Sequence, residues 1–463
     1  MTDRIPNLPE LAGIATYAEA ARIGFSVDEN VRRLLRYHRV ERRLMQILVA
    51  HLTSEPVWEL KCALALHQWQ AAEHVEWLRR RITEMRNPVP PLDGAPEDDP
   101  SAAALEEFLD QVDASANTHE LLVAVYDVAY PALGDAYREH IEHTNPLVDH
   151  PTRRLLRFAL LDIDEAITWR KTGLARQATL PPAEAHWAAQ LRSCLAAAGG
   201  IAGDKMVDDI PRPAVRPRQL ATRGSRHSFH PLRDDRFHGQ YNFEFPPHVV
   251  YCMPDVPPEE RNLALLCKRT LEMDVPEMMA SFMTERGQEP WEFYRDYSRQ
   301  LWDEARHAMM GSVAFEARGI DWRHEIPLNI SFALRLNEHA TPIERQIMLY
   351  AIEQSLMPAE TGKRYEYETA VAAGDALSAH FHDYDWADEV LHAQIGRRML
   401  KREGISSAEA RERAKAIHEQ TWAALDRYRS LEEQRDWWPA FVKKVLGRDS
   451  AAGEKPGLNM FSE

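Results

Sequence analysis

Apolar residues recur at intervals of three and four over long stretches of this chain, and alternating runs of β-branched residues are almost absent. That spacing gathers apolar side chains on one helical face, so it predicts amphipathic helices rather than strands. In the first part of the chain the pattern is clearest at residues 29–51, 57–85, 102–141 (with a break inside it) and 152–176. Long helices joined by short connectors suggest a bundle that buries one stripe of each. Between residues 199 and 258 the period is lost, and Pro, Arg and His become frequent. Breakers of this kind mark a boundary. The Tyr, Phe and Val content there is high for a plain tether, which suggests a strap or lid, although an irregular connector is the plainer reading. The helical period returns at residues 258–285, 290–318, 341–373 and 383–402, with shorter helices to about 446.

The expected fold is therefore all-α, with helical sets at 1–198 and 258–446, a linker or strap at 199–257 and a frayed tail at 447–463. A length of 463 residues agrees with two cores rather than one. A formal net charge of −16 argues against a nucleic-acid partner, because neutralising phosphates takes clustered Lys and Arg. No run of eighteen apolar residues suggests a membrane span. Asp3 and Glu10 stand where a secretory leader would be basic and then apolar, so a cytoplasmic location is expected. Cys62, Cys194, Cys252 and Cys267 are widely spaced with no C-x-x-C pair, which argues against a disulfide framework and a thiolate metal site and predicts reduced, buried thiols.

Candidate chemistry lies in two Glu-x-x-His pairs, Glu304/His307 and Glu389/His392. Chance at this composition gives about two such pairs, so their number means nothing. Their context does: Asp303 and Asp388 precede them, giving D-E-x-x-H twice, a coincidence of roughly one in 250. Residues three apart share a helical face, so each pair can reach one metal centre. A bundle site needs one more Glu from each remaining helix at the same depth. Glu272, 32 residues before Glu304, and Glu353, 36 before Glu389, fill those places, with Glu277 and Glu360 as competitors. Both preferred residues sit among apolar neighbours, where a bare carboxylate is costly and a cation would compensate it. A ligating His usually gives its other N–H to a carboxylate, which assigns Asp303 to His392 and Asp388 to His307 across the helices. The competing structural reading is a solvated helix face with pairs such as Asp303 or Glu304 to Arg306 and Glu389 to Arg397.

On these residues the C-terminal part resembles the ferritin-like di-metal carboxylate superfamily over about 145 residues. The resemblance implies a ferritin-like four-helix bundle. It implies Glu272, Glu304, His307, Glu353, Glu389 and His392 as ligands of two iron ions, with manganese an alternative at one site. Glu304 and Glu389 would be the catalytic carboxylates, and O2 the co-substrate. The N-terminal part lays on the same template as a worn copy: Gln68-Trp69 to His74 follows Leu301-Trp302 to His307, and Asp164/Glu165 follow Asp388/Glu389. Ala71 and Thr168 replace a Glu and a His, leaving Glu41, His74 and Glu165, and His74 is expected to pair with Asp164 or Glu165. The implied architecture is two tandem ferritin-like bundles, the first bracing the second or mediating a homodimer.

The leading functional expectation is an oxygen-activating di-iron oxidase or oxygenase, a non-haem oxidoreductase acting on a small organic molecule, with electrons from a separate reductase or from the substrate. A ferroxidase or peroxide scavenger without organic substrate is the alternative, and a structural, partner-binding helical protein is the third class. No nucleotide or flavin fingerprint is present.

Overall fold

The computed structural model describes residues 8–93, 100–174, 182–205, 215–216, 229–242, 246–328, 330–423 and 435–452. Every regular element among them is helical, in agreement with the period of the sequence. No described helix is long and apolar enough to cross a membrane. The chain divides into two compact units, one of residues 1–48 with 67–220 and one of 49–66 with 221–463.

In the first unit lie α1 (Val27–Leu52) and α2 (Trp58–Met85), apart from residues 49–66 at their shared turn, which group with the second unit. They are followed by α3 (Pro100–Asp113), α4 (Tyr130–His143), α5 (His150–Leu174) and α6 (Pro182–Ala197). Ser26 caps α1, its Oγ accepting from the Glu29 N–H at 3.2 Å. The break expected within 102–141 falls at Ala114–Asn117, after which Thr118–Leu122 runs through a π-helical stretch, Val123–Ala129, into α4. Pro131 accounts for that stretch. It cannot donate to the Asp127 carbonyl and its ring crowds it, so the ladder widens, and the Tyr130 N–H donates to Val125 O instead. The chain after α6 is tied down by Arg36, whose guanidinium donates to the carbonyls of Ala198, Gly200 and Ile201 at 2.8–3.0 Å.

The second unit is built on α7 (Pro258–Leu271), α8 (Asp274–Glu285), α9 (Trp291–Glu316), α10 (Ser331–His339), α11 (Pro342–Ser355), α12 (Lys363–Ala372), α13 (Ala376–Arg402), α14 (Ser407–Ala423) and α15 (Trp438–Leu446). Helix α9 packs on α7, α8 and α13, while α11 packs on α8, α13 and α14. Two helices expected to be continuous are broken, each for a reason readable in the chain. Pro276 cannot follow Glu272 in one helix, because its ring would meet the Glu272 carbonyl; α7 ends and α8 begins there. Pro358 similarly separates α11 from α12 within the expected 341–373 segment.

Part of the 199–257 segment packs into the second unit. Arg233 is buried against Glu277, Phe237 packs between Trp58 and Trp322 at 5.8 and 5.4 Å, and the Asn242 N–H donates to Leu328 O at 3.1 Å. Lys61 meets the same Glu277 carboxylate and donates to the carbonyls of Leu52 and Thr53, both at 2.9 Å. Burial pulls the Lys61 ammonium down to about 8 against the attraction of Glu277. All four cysteines are free, and Cys194 and Cys267 are buried as expected, but Cys252 is exposed and Cys62 half-buried.

Candidate metal centre

Three helices of the second unit bring the centre together: α9 carries Asp303, Glu304 and His307, α11 carries Glu353, and α13 carries Asp385, Asp388, Glu389 and His392. Helix α13 reaches α11 closely because residue 396 is glycine. A Cβ there would lie 2.9 Å from Tyr350 Cδ2, so any larger residue would push α13 and its two ligand positions away from Glu353.

Glu304, Glu353, Glu389 and His392 are at most 4% exposed, and each offers one ligand atom to a group in which all four lie within 4.8 Å of one another. His392 Nδ1 is 3.0 Å from Glu304 Oε1 and 3.2 Å from Glu389 Oε2. Its Nε2 lies 3.3 Å from Asp303 Oδ2, and His307 Nε2 lies 3.3 Å from Asp388 Oδ2. This is the crossed pairing assigned from the two D-E-x-x-H repeats. It leaves the Nδ1 of both histidines turned toward the glutamates. Asp303 is itself held by Arg299 at 2.8 Å and by Arg306, which also reaches Asp388 at 2.8 Å.

No family model matches the chain, nor does any curated protein or solved structure. What the centre can do must come from its own geometry.

Of the remaining expected ligands, His307 joins a second group, with its Nδ1 3.2 Å from Asp385 Oδ1 and 3.9 Å from Glu389 Oε1. Glu272 joins neither group. It caps the end of α7 and pairs with Arg269 at 2.9 Å, a consequence of the break that Pro276 imposes. Its competitor Glu277 is buried against Lys61 and Arg233, and Glu360 is exposed in the loop after α11. Four participants were not anticipated. Asp385 sits one turn before Glu389 on α13, a spacing that could have flagged it. Lys363, Glu366 and His382 carry no motif. Lys363 Nζ is 2.9 Å from Asp385 and 3.1 Å from Glu389, and Arg269 bonds Asp385 and, at 2.8 Å, His382 Nδ1. A third group of possible ligands, Glu366, His382 and Asp385, thus encloses a guanidinium.

Burial alone would raise every carboxyl in the centre; the partners decide the outcome. Around Glu353, burial and the charges of Glu389 and Glu304 all act in one direction, so its carboxyl is pushed well above the usual range. Burial and Glu389 would also raise Glu304, but His307 and His392 outweigh them and hold it low. Glu389 is held low by Lys363 against its burial. His307 is raised to about 10, because Asp385, Asp388 and Glu304 overcome the penalty of burying its cation.

A cation fits the tetrad. Glu353 Oε2 and Glu304 Oε1 are buried without an aligned hydrogen-bond partner. Among the described residues neither Glu304 nor Glu353 has a Lys or Arg as an ion-pair partner, unlike Glu366, Asp385 and Glu389. Three carboxylates this close, drawn from three helices and with no Lys or Arg partner at two of them, offer mixed oxygen and imidazole ligation to a metal ion.

The residues of the first unit that the sequence laid on the same template are differently paired. His74 Nδ1 lies 3.0 Å from Glu41 Oε1, which also accepts from the Tyr137 hydroxyl at 2.9 Å, and His74 Nε2 lies 3.1 Å from Asp162 Oδ2. The expected partners Asp164 and Glu165 are exposed, and Asp164 pairs with Arg138. Asp162, two residues before Asp164 and half-buried, takes the place of both at His74 Nε2. Asp127 is taken by Arg170 at 3.0 Å. His74, raised to about 9 by Glu41 and Asp162 against its burial, is itself the cation of this site.

Proposed function

We propose that the second unit is a ferritin-like bundle holding a redox metal at Glu304, Glu353, Glu389 and His392, and that the protein is a non-haem oxidase or oxygenase acting on a small organic substrate with O2. The observation that carries this reading is the tetrad. A structural role would be served better by apolar side chains than by three buried carboxylates and an imidazole, since leaving such groups unpaired is costly. Bound there, an iron or manganese ion would supply Lewis acidity and one-electron redox chemistry with open positions for O2.

The protein's own contribution is orientation. Asp303 and Asp388 fix the imidazoles with Nδ1 inward, Arg299 and Arg306 fix those aspartates, and Gln300 Nε2 donates to Glu353 Oε1 at 2.9 Å. Leu301, Ala305, Ala308, Leu349 and Ala393 are buried on the same helices. The first unit would be a second bundle that has lost its metal and keeps the His74 cation in its place. Electrons would come from a separate reductase or from the substrate.

The test is anaerobic loading of the chelated full chain with Fe(II), followed by metal analysis and by the change in ultraviolet-visible absorption on admitting O2. Bound iron and an O2-dependent change are expected in the wild type. Both should be lost in Glu304→Ala and in His392→Ala while helical circular dichroism persists. Unchanged metal content in both variants refutes the assignment. Oxidation that consumes O2 only in proportion to added iron would point to a ferroxidase instead.

A further inference from the structure

Lys363 opens α12, and the turn before it fixes where its side chain enters. Gly362 donates to Pro358 O at 2.8 Å and Lys363 N donates to Leu356 O at 3.0 Å. A Cβ on residue 362 would lie 2.0 Å from Leu356 O, so the turn closes only with glycine. The Lys363 side chain is 1% exposed and runs inward. Its ammonium lies 2.9 Å from Asp385 Oδ2, 3.0 Å from Asp385 Oδ1, 3.1 Å from Glu389 Oε1, 3.7 Å from Glu366 Oε2 and 3.9 Å from Glu272 Oε1.

Those oxygens are the ones a second metal ion would need. The group His307, Asp385 and Glu389 offers His307 Nδ1, which faces Asp385 Oδ1 and Glu389 Oε1 at 3.2 and 3.9 Å, and the ammonium is bonded to the same two atoms. Iron, manganese or zinc would bind carboxylate oxygens at roughly 2.0–2.2 Å. An ion there would stand against the ammonium with only the shared oxygens between two positive charges. Glu272, the one further carboxylate the resemblance would recruit, is turned to Arg269 by the helix break. The tetrad differs: neither Glu304 nor Glu353 meets Lys363 or any other Lys or Arg among the described residues.

We infer that Lys363 is a resident cation occupying the second metal position, so that each chain binds one transition-metal ion, at Glu304, Glu353, Glu389 and His392, where a pair of ions would otherwise be expected. This rests on the metal reading above and specifies its stoichiometry. The lysine also tells the two cation positions apart: one is exchangeable, the other covalently part of the chain.

The test is titration of the chelated full chain with Mn(II), read by metal-to-protein ratio after desalting and by electron paramagnetic resonance. The wild type should retain one Mn(II) per chain with the six-line signal of an isolated ion. Lys363→Met removes the charge while keeping an unbranched side chain, and should raise the ratio to two with spin coupling that depletes the six-line signal. If that variant does not fold, Lys363→Gln poses the same question, and the wild-type ratio stands independently. Two coupled ions in the wild type, or a ratio still at one in the folded variants, would overturn the role of Lys363 while leaving the tetrad reading intact. No retained Mn(II) in any form would overturn the tetrad reading, and the lysine inference with it.

Discussion

Replacing Glu353 by Gln should strengthen the metal-free protein and weaken the metal-bound one, whereas the same change at Glu277 should only weaken it. Both glutamates are at most 2% exposed, but their surroundings are opposite. Around Glu353 stand Glu304 and Glu389, with ligand atoms inside a 4.8 Å group, and no Lys or Arg among the described residues pairs with it. Two like charges about 5 Å apart repel by about 3 kcal/mol at an effective dielectric constant near 20. Part of this is already relieved in the metal-free state, where Glu353 is driven to hold a proton. A net gain of about 1–2 kcal/mol is therefore expected from Glu353→Gln, a rise in Tm of roughly 2–6 °C for a unit of this size. Metal affinity should fall at least about 100-fold, because a ligand is lost rather than an outer partner. Glu277→Gln leaves Lys61 and Arg233 buried without their counter-ion. Lys61 can release its proton but Arg233 cannot, so a loss of about 3–5 kcal/mol is expected. Thermal melts of chelator-treated protein, followed by circular dichroism, compare the two directly. If Glu353→Gln lowers Tm as far as Glu277→Gln does, then Glu353 is an ordinary structural carboxylate and the reasoning fails.

Asp303→Asn should weaken metal binding about 10- to 100-fold without abolishing it, since His392 keeps its ligand atom but loses its orienting partner; a competition titration with a chromophoric chelator measures this. In the first unit, His74 is raised from 6.5 to about 9 in the folded chain. Its pairing with Glu41 and Asp162 thus contributes up to about 3 kcal/mol that is fully present below pH 6.5 and lost as pH rises through 9. Urea midpoints measured from pH 6 to 10 should fall across that window in the wild type and stay flatter in His74→Gln.

The helical period announced the all-α content because it is set locally, residue by residue along each face. Breaks were harder to read. Pro276 and Pro358 were visible, yet each lies only a few residues inside or beyond an apolar stripe that continues unbroken, so the period alone joined α7 to α8 and α11 to α12. The first break also places Glu272, whose carboxylate sits at the end of α7 and pairs with Arg269 instead of joining the tetrad. Glu304, Glu389, His307 and His392 were legible because a helix fixes what lies three residues away. Glu353 was legible from its apolar setting. Lys363 was not, because nothing in the chain near it says that a charged residue at the start of a helix will be turned inward. Its burial is decided by Asp385 and Glu389, more than twenty residues away and on another helix.

The hydrogen bond between Lys61 and Glu277 joins two residues 216 positions apart, and both belong to the second unit. During synthesis at about 5–20 residues per second, Lys61 leaves the ribosome roughly 10–40 s before Glu277 exists. Through that interval the rest of the unit to which segment 49–66 belongs does not yet exist, and Trp58 is without Phe237 and Trp322, the rings it later packs against. The second unit is thus discontinuous in time as well as in sequence: its first-made piece must be kept from aggregation until its last-made pieces arrive, and nascent chains stalled before residue 277 are where a chaperone requirement would show itself.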